Sequence, residues 1–213
     1  MSGGIYIVQL EDREAQVTSR ELERFRDRYL EACGLTELAR RMSELVWLNI
    51  YTLEAAFGVS PQEILSAIYD VEQGEPPSRI KAATQFENMP LKGLWHKHYF
   101  SARFMPKNIA LGLGKGRLSK LVKEVIDPGK SLLISNERII ELAWRVAEIF
   151  KTRAAANNLT GEWVVYMRRE AKNYYLCCGT HDDGDQFIYD RIMEHCVRDF
   201  PELPTWLKDQ QNS

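Results

Sequence analysis

Trp163-Val-Val-Tyr-Met-Arg168 and Tyr174-Tyr-Leu-Cys-Cys-Gly179 are two apolar runs rich in aromatic and β-branched residues, separated by the polar stretch Arg169 to Asn173. Runs of this composition on either side of a short polar turn predict an antiparallel β-hairpin. Directly after it, Asp182-Asp-Gly-Asp185 interrupts the apolar pattern, and Phe187, Ile188, Ile192 and Cys196 then recur at helical spacing, predicting a helix from about Asp185 to Phe200. The other long periodic stretches have the helical period. The fold class is therefore α+β: mostly helical, with a small antiparallel sheet that includes a C-terminal hairpin followed by a helix.

Upstream, Gly4 to Leu10 has the composition of a short strand. Thr18 with Glu21 three residues later forms a capping box, and Leu22, Phe25, Tyr29 and Leu30 continue a helical stripe to about Ala32. Gly34 marks its end. A second helix is expected from about Thr36 to Phe57, closed by Gly58, and a third starts at Ser60-Pro61-Gln62-Glu63, with Pro at the first helical position. Gln73-Gly-Glu-Pro-Pro-Ser78 has linker composition. It divides the chain into an N-terminal helical region, 1–75, and an α+β region, 76–213, holding the basic segment and the hairpin. Within the second region, helices are expected from about Arg117 to Ile126, ended by Asp127-Pro-Gly129, and from Ser135 or Asn136 to about Ala156.

The composition, 45% hydrophobic and 27% charged, is that of a globular protein and excludes a disordered chain. No stretch has the ~18 uninterrupted apolar residues of a membrane span, and the acidic N-terminus does not read as a secretory signal. A cytoplasmic protein without a membrane partner is expected. Cys33, Cys177, Cys178 and Cys196 include no C-x-x-C pair, which removes the usual zinc and thioredoxin patterns. They read as reduced packing residues.

Net charge is only -2, yet its distribution is uneven. Arg79, Lys81, Lys92, Lys97, Arg103, Lys107, Lys115, Arg117, Lys120 and Lys123 stand against the single acid Glu87, so this segment carries +9 and the remainder -11. Such asymmetry points to an anionic partner. Nucleic acid, RNA favoured, is the first expectation, with an acidic protein as the alternative. Arg103, Lys107, Lys115, Arg117 and Lys120 are the candidate phosphate contacts, and Trp95 and Tyr99 the candidate stacking surfaces for bases. Gly112-Leu-Gly-Lys-Gly-Arg117 can offer backbone N–H groups to a phosphate, but it does not match the nucleotide-loop pattern, so no cofactor is expected.

Trp95-His-Lys-His-Tyr99 holds two of the four histidines. In an extended segment His96 and His98 share a face. A histidine pair supplies the general base and general acid of metal-independent RNA cleavage, with Lys97 or Lys115 stabilising charge on phosphorus. Thr180 and His181, where the second hairpin strand meets its loop, complete the candidate catalytic set. The bland alternative is that both β-type histidines pack against neighbouring aromatics. Asp182, Asp183 and Asp185 offer carboxylates to a divalent cation, but the helix start behind them gives a simpler role: Asp183 as its cap. No metal is expected.

Two resemblances accompany these residues. Ala55-Ala-Phe-Gly-Val-Ser-Pro-Gln-Glu-Ile-Leu65 is similar to the closing stretch of helix-turn-helix regulators, without a recognition helix, and implies nothing about function. The order of helices, then a histidine-bearing hairpin, resembles small bacterial RNase toxins at the level of fold alone, and implies a toxin-type endoribonuclease of a toxin–antitoxin pair. The alternative reading is a non-catalytic binding, immunity or regulatory protein engaging its partner through the basic segment. A metal-dependent hydrolase ranks third.

Overall fold

The computed structural model describes residues 4–10, 13–74, 80–99, 105–114, 116–126, 135–155, 162–180 and 183–212. The protein is α+β, mostly helical, with two small antiparallel sheets. It clusters into two compact units: 1–77 with 82–100 and 161–213, and 78–81 with 101–160. The first unit thus holds both the N-terminal helices and the C-terminal hairpin.

In the first unit, β1 (Ile5–Gln9) pairs antiparallel with β2 (Glu14–Thr18), a partner strand that charged and amide side chains conceal in the sequence. Val8 and Val17 point inward onto Leu22 of α1 (Ser19–Cys33). The capping box forms: the Thr18 hydroxyl accepts from the Glu21 N–H, and the Glu21 carboxylate accepts from the Thr18 N–H at 2.8 Å. Gly34 closes the helix at φ 67°.

The single helix expected from Thr36 to Phe57 is instead a 3-10 helix (Thr36–Arg41) and α2 (Glu44–Phe57), broken at Met42 and Ser43. The cause is tertiary. Met42 makes a parallel bridge to Tyr175, the Ser43 N–H donates to the Tyr175 carbonyl at 2.9 Å, and the fully buried Ser43 hydroxyl donates to the Leu176 carbonyl. That hydroxyl also accepts from the Val46 N–H, so Ser43 caps α2. α3 (Pro61–Glu72) begins with Pro at its first position, while Ser60 makes no side-chain cap.

The second sheet has the order β3 (Thr84–Gln85), β4 (Trp95–Tyr99), β5 (Glu162–Arg169), β6 (Lys172–Gly179), antiparallel throughout. The hairpin turn is shorter than the polar stretch suggests. Arg169 pairs with Lys172, leaving Glu170 and Ala171 alone at the tip, both left-handed at φ 51° and 59°. Val165 faces Cys177 and Tyr166 faces Tyr175, so Leu176 is the extra residue of a bulge.

One face of this sheet buries Trp163, Val165, Met167 and Cys177 against Ile188 and Ile192 of α7 (Asp185–His195) and Leu203 and Leu207 of α8 (Leu203–Gln211). α8, entered through Pro204 at its second position, was not expected from the sequence. The other face meets α2 and α3: the Cys178 N–H donates to Asn49 Oδ1, and the Tyr175 hydroxyl to Glu72. Cys177, Cys178 and Cys196 are buried packing residues. No described helix is long and apolar enough to cross a membrane.

The second unit is helical: α4 (Met105–Leu113), α5 (Arg117–Val125) and α6 (Asn136–Ala155), each in contact with the other two. Leu113 and Val125 are buried there, whereas Leu111, Leu118, Ile139, Ile140 and Trp144 are exposed.

Candidate functional site

The β4 residues sit in a central strand, and the alternation of a strand decides what each can reach. His96 pairs across to Val165 and His98 to Trp163, so both imidazoles lie on the α7 face, with ring centroids 5.6 Å apart. Around them stand Phe86, 4.5 Å from His96, and Trp163, 5.0 Å from His96 and 6.2 Å from His98. His96 Nε2 is 3.0 Å from the Thr84 hydroxyl. His98 is 4% exposed. The histidine pair therefore exists as geometry, inside an aromatic cluster.

Lys97 points the other way. It pairs with Val164 and is 1% exposed, on the α2 and α3 face. It cannot stand beside the histidines to stabilise a phosphorane, because the sheet lies between them. Tyr99 is wholly buried, its hydroxyl donating to Glu162 at 3.0 Å. It offers no surface to a base. Trp95 is half-buried, with the Arg168 guanidinium 3.8 Å from its ring centre. One face of that indole is already taken by a cation–π contact.

Thr180 borders a small cleft of about 250 Å³ lined also by Asn49, Glu162, Asp183 and Arg191. Its N–H donates to Asp183 Oδ2 at 2.8 Å. Asp183 thus secures the end of β6, and Gly184, without a side-chain cap, precedes α7; the expected helix-capping role of Asp183 is corrected by this bond. His181, with Asp182, lies outside the described residues. So do Arg103, Lys115 and the side chain of Lys107. No group of three or more potential metal ligands occurs among the described residues.

Arg117, Lys120 and Lys123 project from α5 and are exposed. Leu118, Leu121, Val122 and Val125 form the opposite stripe of this strongly amphipathic helix. Glu124 lies 3.9 Å from Lys120 and 4.0 Å from Arg145, both loose surface pairs. Arg117 has no ion pair among the described residues.

The basic run splits between the two units. Lys92, which donates to the Gln211 carbonyl at 2.7 Å, and buried Lys97 belong to the first. The other eight cations of the run belong to the second, which carries thirteen lysines and arginines against five carboxylates. Its net charge is +8, and that of the first unit is -10. The sequence window missed the cations of α6 (Arg138, Arg145, Lys151), which continue the basic unit beyond residue 123; extending the charge count through 160 finds them. Comparison with known proteins finds no matching family model and no significant match among curated proteins or solved structures.

Proposed function

We propose that the chain is a nucleic-acid-binding protein, RNA favoured, that engages phosphates through its second unit without turning the nucleic acid over. The observation that carries this reading is the division of charge, +8 on the helical unit against -10 on the rest. Phosphate contact depends on local cationic density, so a chain of net charge -2 can still bind a polyanion through one of its parts. On α5 the exposed Arg117, Lys120 and Lys123 are spaced by three residues, about 4.5 Å of rise each. That spacing is comparable with the ~3.4 Å per charge along one nucleic-acid strand.

Toxin-type cleavage by His96 and His98 acting as a pair is disfavoured by the burial of His98, although His96 is only half-buried. A general acid or base must come within hydrogen-bond reach of substrate, and His98 is 4% exposed with Lys97 on the opposite face. An acidic protein partner is the competing occupant of the same cationic surface.

The test is titration of the full chain into fluorescein-labelled single-stranded RNA at two salt concentrations. Binding should weaken steeply with salt, with a log–log slope of about -0.7 for each neutralised phosphate of a single strand. Arg117→Glu/Lys120→Glu/Lys123→Glu should reduce the slope by about 2 and weaken binding at least ~tenfold. His96→Ala should leave the RNA intact and bound as before. No binding, or a response flat in salt, sinks the proposal; cleavage lost in His96→Ala restores the enzyme.

A further inference from the structure

The register of the β1–β2 ribbon decides which backbone groups of β1 are already used. The Leu10 N–H donates to the Arg13 carbonyl at 2.8 Å, and the Ser19 N–H to the Gly4 carbonyl at 3.0 Å. Between these two ends the register runs from Ile5 opposite Thr18 to Gln9 opposite Glu14 without a bulge. Hydrogen-bonded and non-hydrogen-bonded pairs alternate along an antiparallel ladder. Tyr6 and Val8 therefore turn their N–H and C=O groups to β2, and Ile5, Ile7 and Gln9 turn theirs away from it. These outward groups have no hydrogen-bond partner among the described residues.

The side chains add a second observation. Val8 is buried, while alternation puts Ile5 and Ile7 on the opposite face, 65% and 69% exposed. They are the most exposed large apolar side chains among the described residues. Strand edges are ordinarily blunted by charge, proline or a bulge. Ile5-Tyr-Ile-Val-Gln9 has none of these. The other edge of the ribbon is guarded: β2 begins with Glu14, and at its far end the Thr18 N–H is bonded to the Glu21 carboxylate.

We infer that β1 pairs antiparallel with β1 of a second copy of this chain, about a two-fold axis at Ile7, joining two ribbons into one continuous sheet. Self-complementarity selects this occupant. Ile5, Ile7 and Gln9 are symmetric about Ile7, so Ile7 stands opposite Ile7 of the second copy and Ile5 opposite its Gln9. About six hydrogen bonds then complete both edges. The exposed isoleucines of the two copies become contiguous on the outer face, as opposite and diagonal neighbours. No charged side chain faces another across the new pairing, so it avoids like-charge contact on a unit of net charge -10. A closed two-fold contact of this kind is the commonest form of self-association. One strand pair is small beside a standard interface, so the dimer is weak, with a dissociation constant on the order of 10–100 μM. The inference is independent of the cationic helical unit.

Sedimentation velocity of the full chain, freed of nucleic acid, tests this across about 1–200 μM at ~0.1 and ~0.5 M salt. A monomer–dimer equilibrium that persists at the higher salt is expected, because main-chain pairing is not an ion pair. Ile7→Lys places two cations opposite each other at an exposed position and should weaken dimerisation about tenfold. Ile7→Cys reads the register: the Cα atoms of a hydrogen-bonded pair lie about 5.5 Å apart, within disulfide range, so mild oxidation should cross-link two copies. Gln16→Cys, also exposed but on β2, should not cross-link. A chain that stays monomeric up to ~200 μM overturns the inference and leaves the edge to an extended segment of another protein. So does a dimer lost at high salt, the mark of one copy's cationic unit held on the next copy's acidic unit. A dimer indifferent to Ile7→Lys, or Gln16→Cys cross-linking as fast as Ile7→Cys, overturns it equally.

Discussion

Glu72 shows how one side chain joins distant parts of the first unit. It ends α3, yet its carboxylate receives both terminal nitrogens of Arg41 at 2.7 and 3.0 Å, the Asn173 amide at 2.9 Å and the Tyr175 hydroxyl at 2.7 Å. Burial alone raises its pKa, but the hydrogen bonds from Arg41, Asn173 and Tyr175 outweigh burial and hold it below the ordinary carboxylate range. Tyr175 is pushed in the opposite direction, by burial and then by the carboxylate itself. Because Glu72 titrates lower in the folded than in the unfolded chain, its stabilisation is complete above the unfolded carboxylate pKa. It is lost as pH falls through the lowered folded value. Glu72→Gln keeps the shape and removes the charge opposite Arg41, so it should cost about 2–4 kcal/mol at neutral pH. Its urea midpoints should also depend less on pH across the acid limb than those of the parent chain. A variant equal to the parent at pH 7 contradicts this account.

The β5–β6 hairpin was legible because two apolar runs and a polar interruption are local signals, and so was the shared face of His96 and His98, which follows from strand alternation alone. What escaped was set by contacts between distant segments. The break at Met42–Ser43 interrupts an apolar stripe that reads as one helix, and it exists because Ser43 bonds to Tyr175 and Leu176. The aromatic setting of the pair comes from Phe86 beside His96 and Trp163 beside both histidines, and no periodicity within β4 encodes these rings. The hairpin tip adds a prediction at this scale. Glu170 and Ala171 both adopt left-handed backbone, which costs about 1 kcal/mol or more for a residue with a Cβ, whereas Asn-Gly suits a two-residue turn with positive φ at both positions. Glu170→Asn/Ala171→Gly should therefore stabilise the chain by about 1–2 kcal/mol, read as a higher urea midpoint at unchanged slope. An unchanged or lowered midpoint refutes the strain argument.

Over the whole molecule, a single net charge hides the organisation that matters. The -2 of the full chain is the sum of +8 on 78–81 with 101–160 and -10 on the remainder. The sequence window from Arg79 to Lys123 found the excess but not its owner, because Lys92 and Lys97 sit in it by chain order and belong to the acidic unit by contact. A uniformly charged protein with a pI near 6.1 would be held only by an anion exchanger at neutral pH. Segregated charge predicts retention on both an anion exchanger and a heparin matrix at low ionic strength, since each surface meets its counter-charge within a Debye length of about 10 Å at 0.1 M salt. Arg117→Glu/Lys120→Glu/Lys123→Glu moves the helical unit from +8 to +2 and should abolish heparin retention while strengthening retention on the anion exchanger. Flow-through of the parent chain on heparin at low salt would mean that the cations of this unit do not act together, and the proposed polyanion partner would lose its basis.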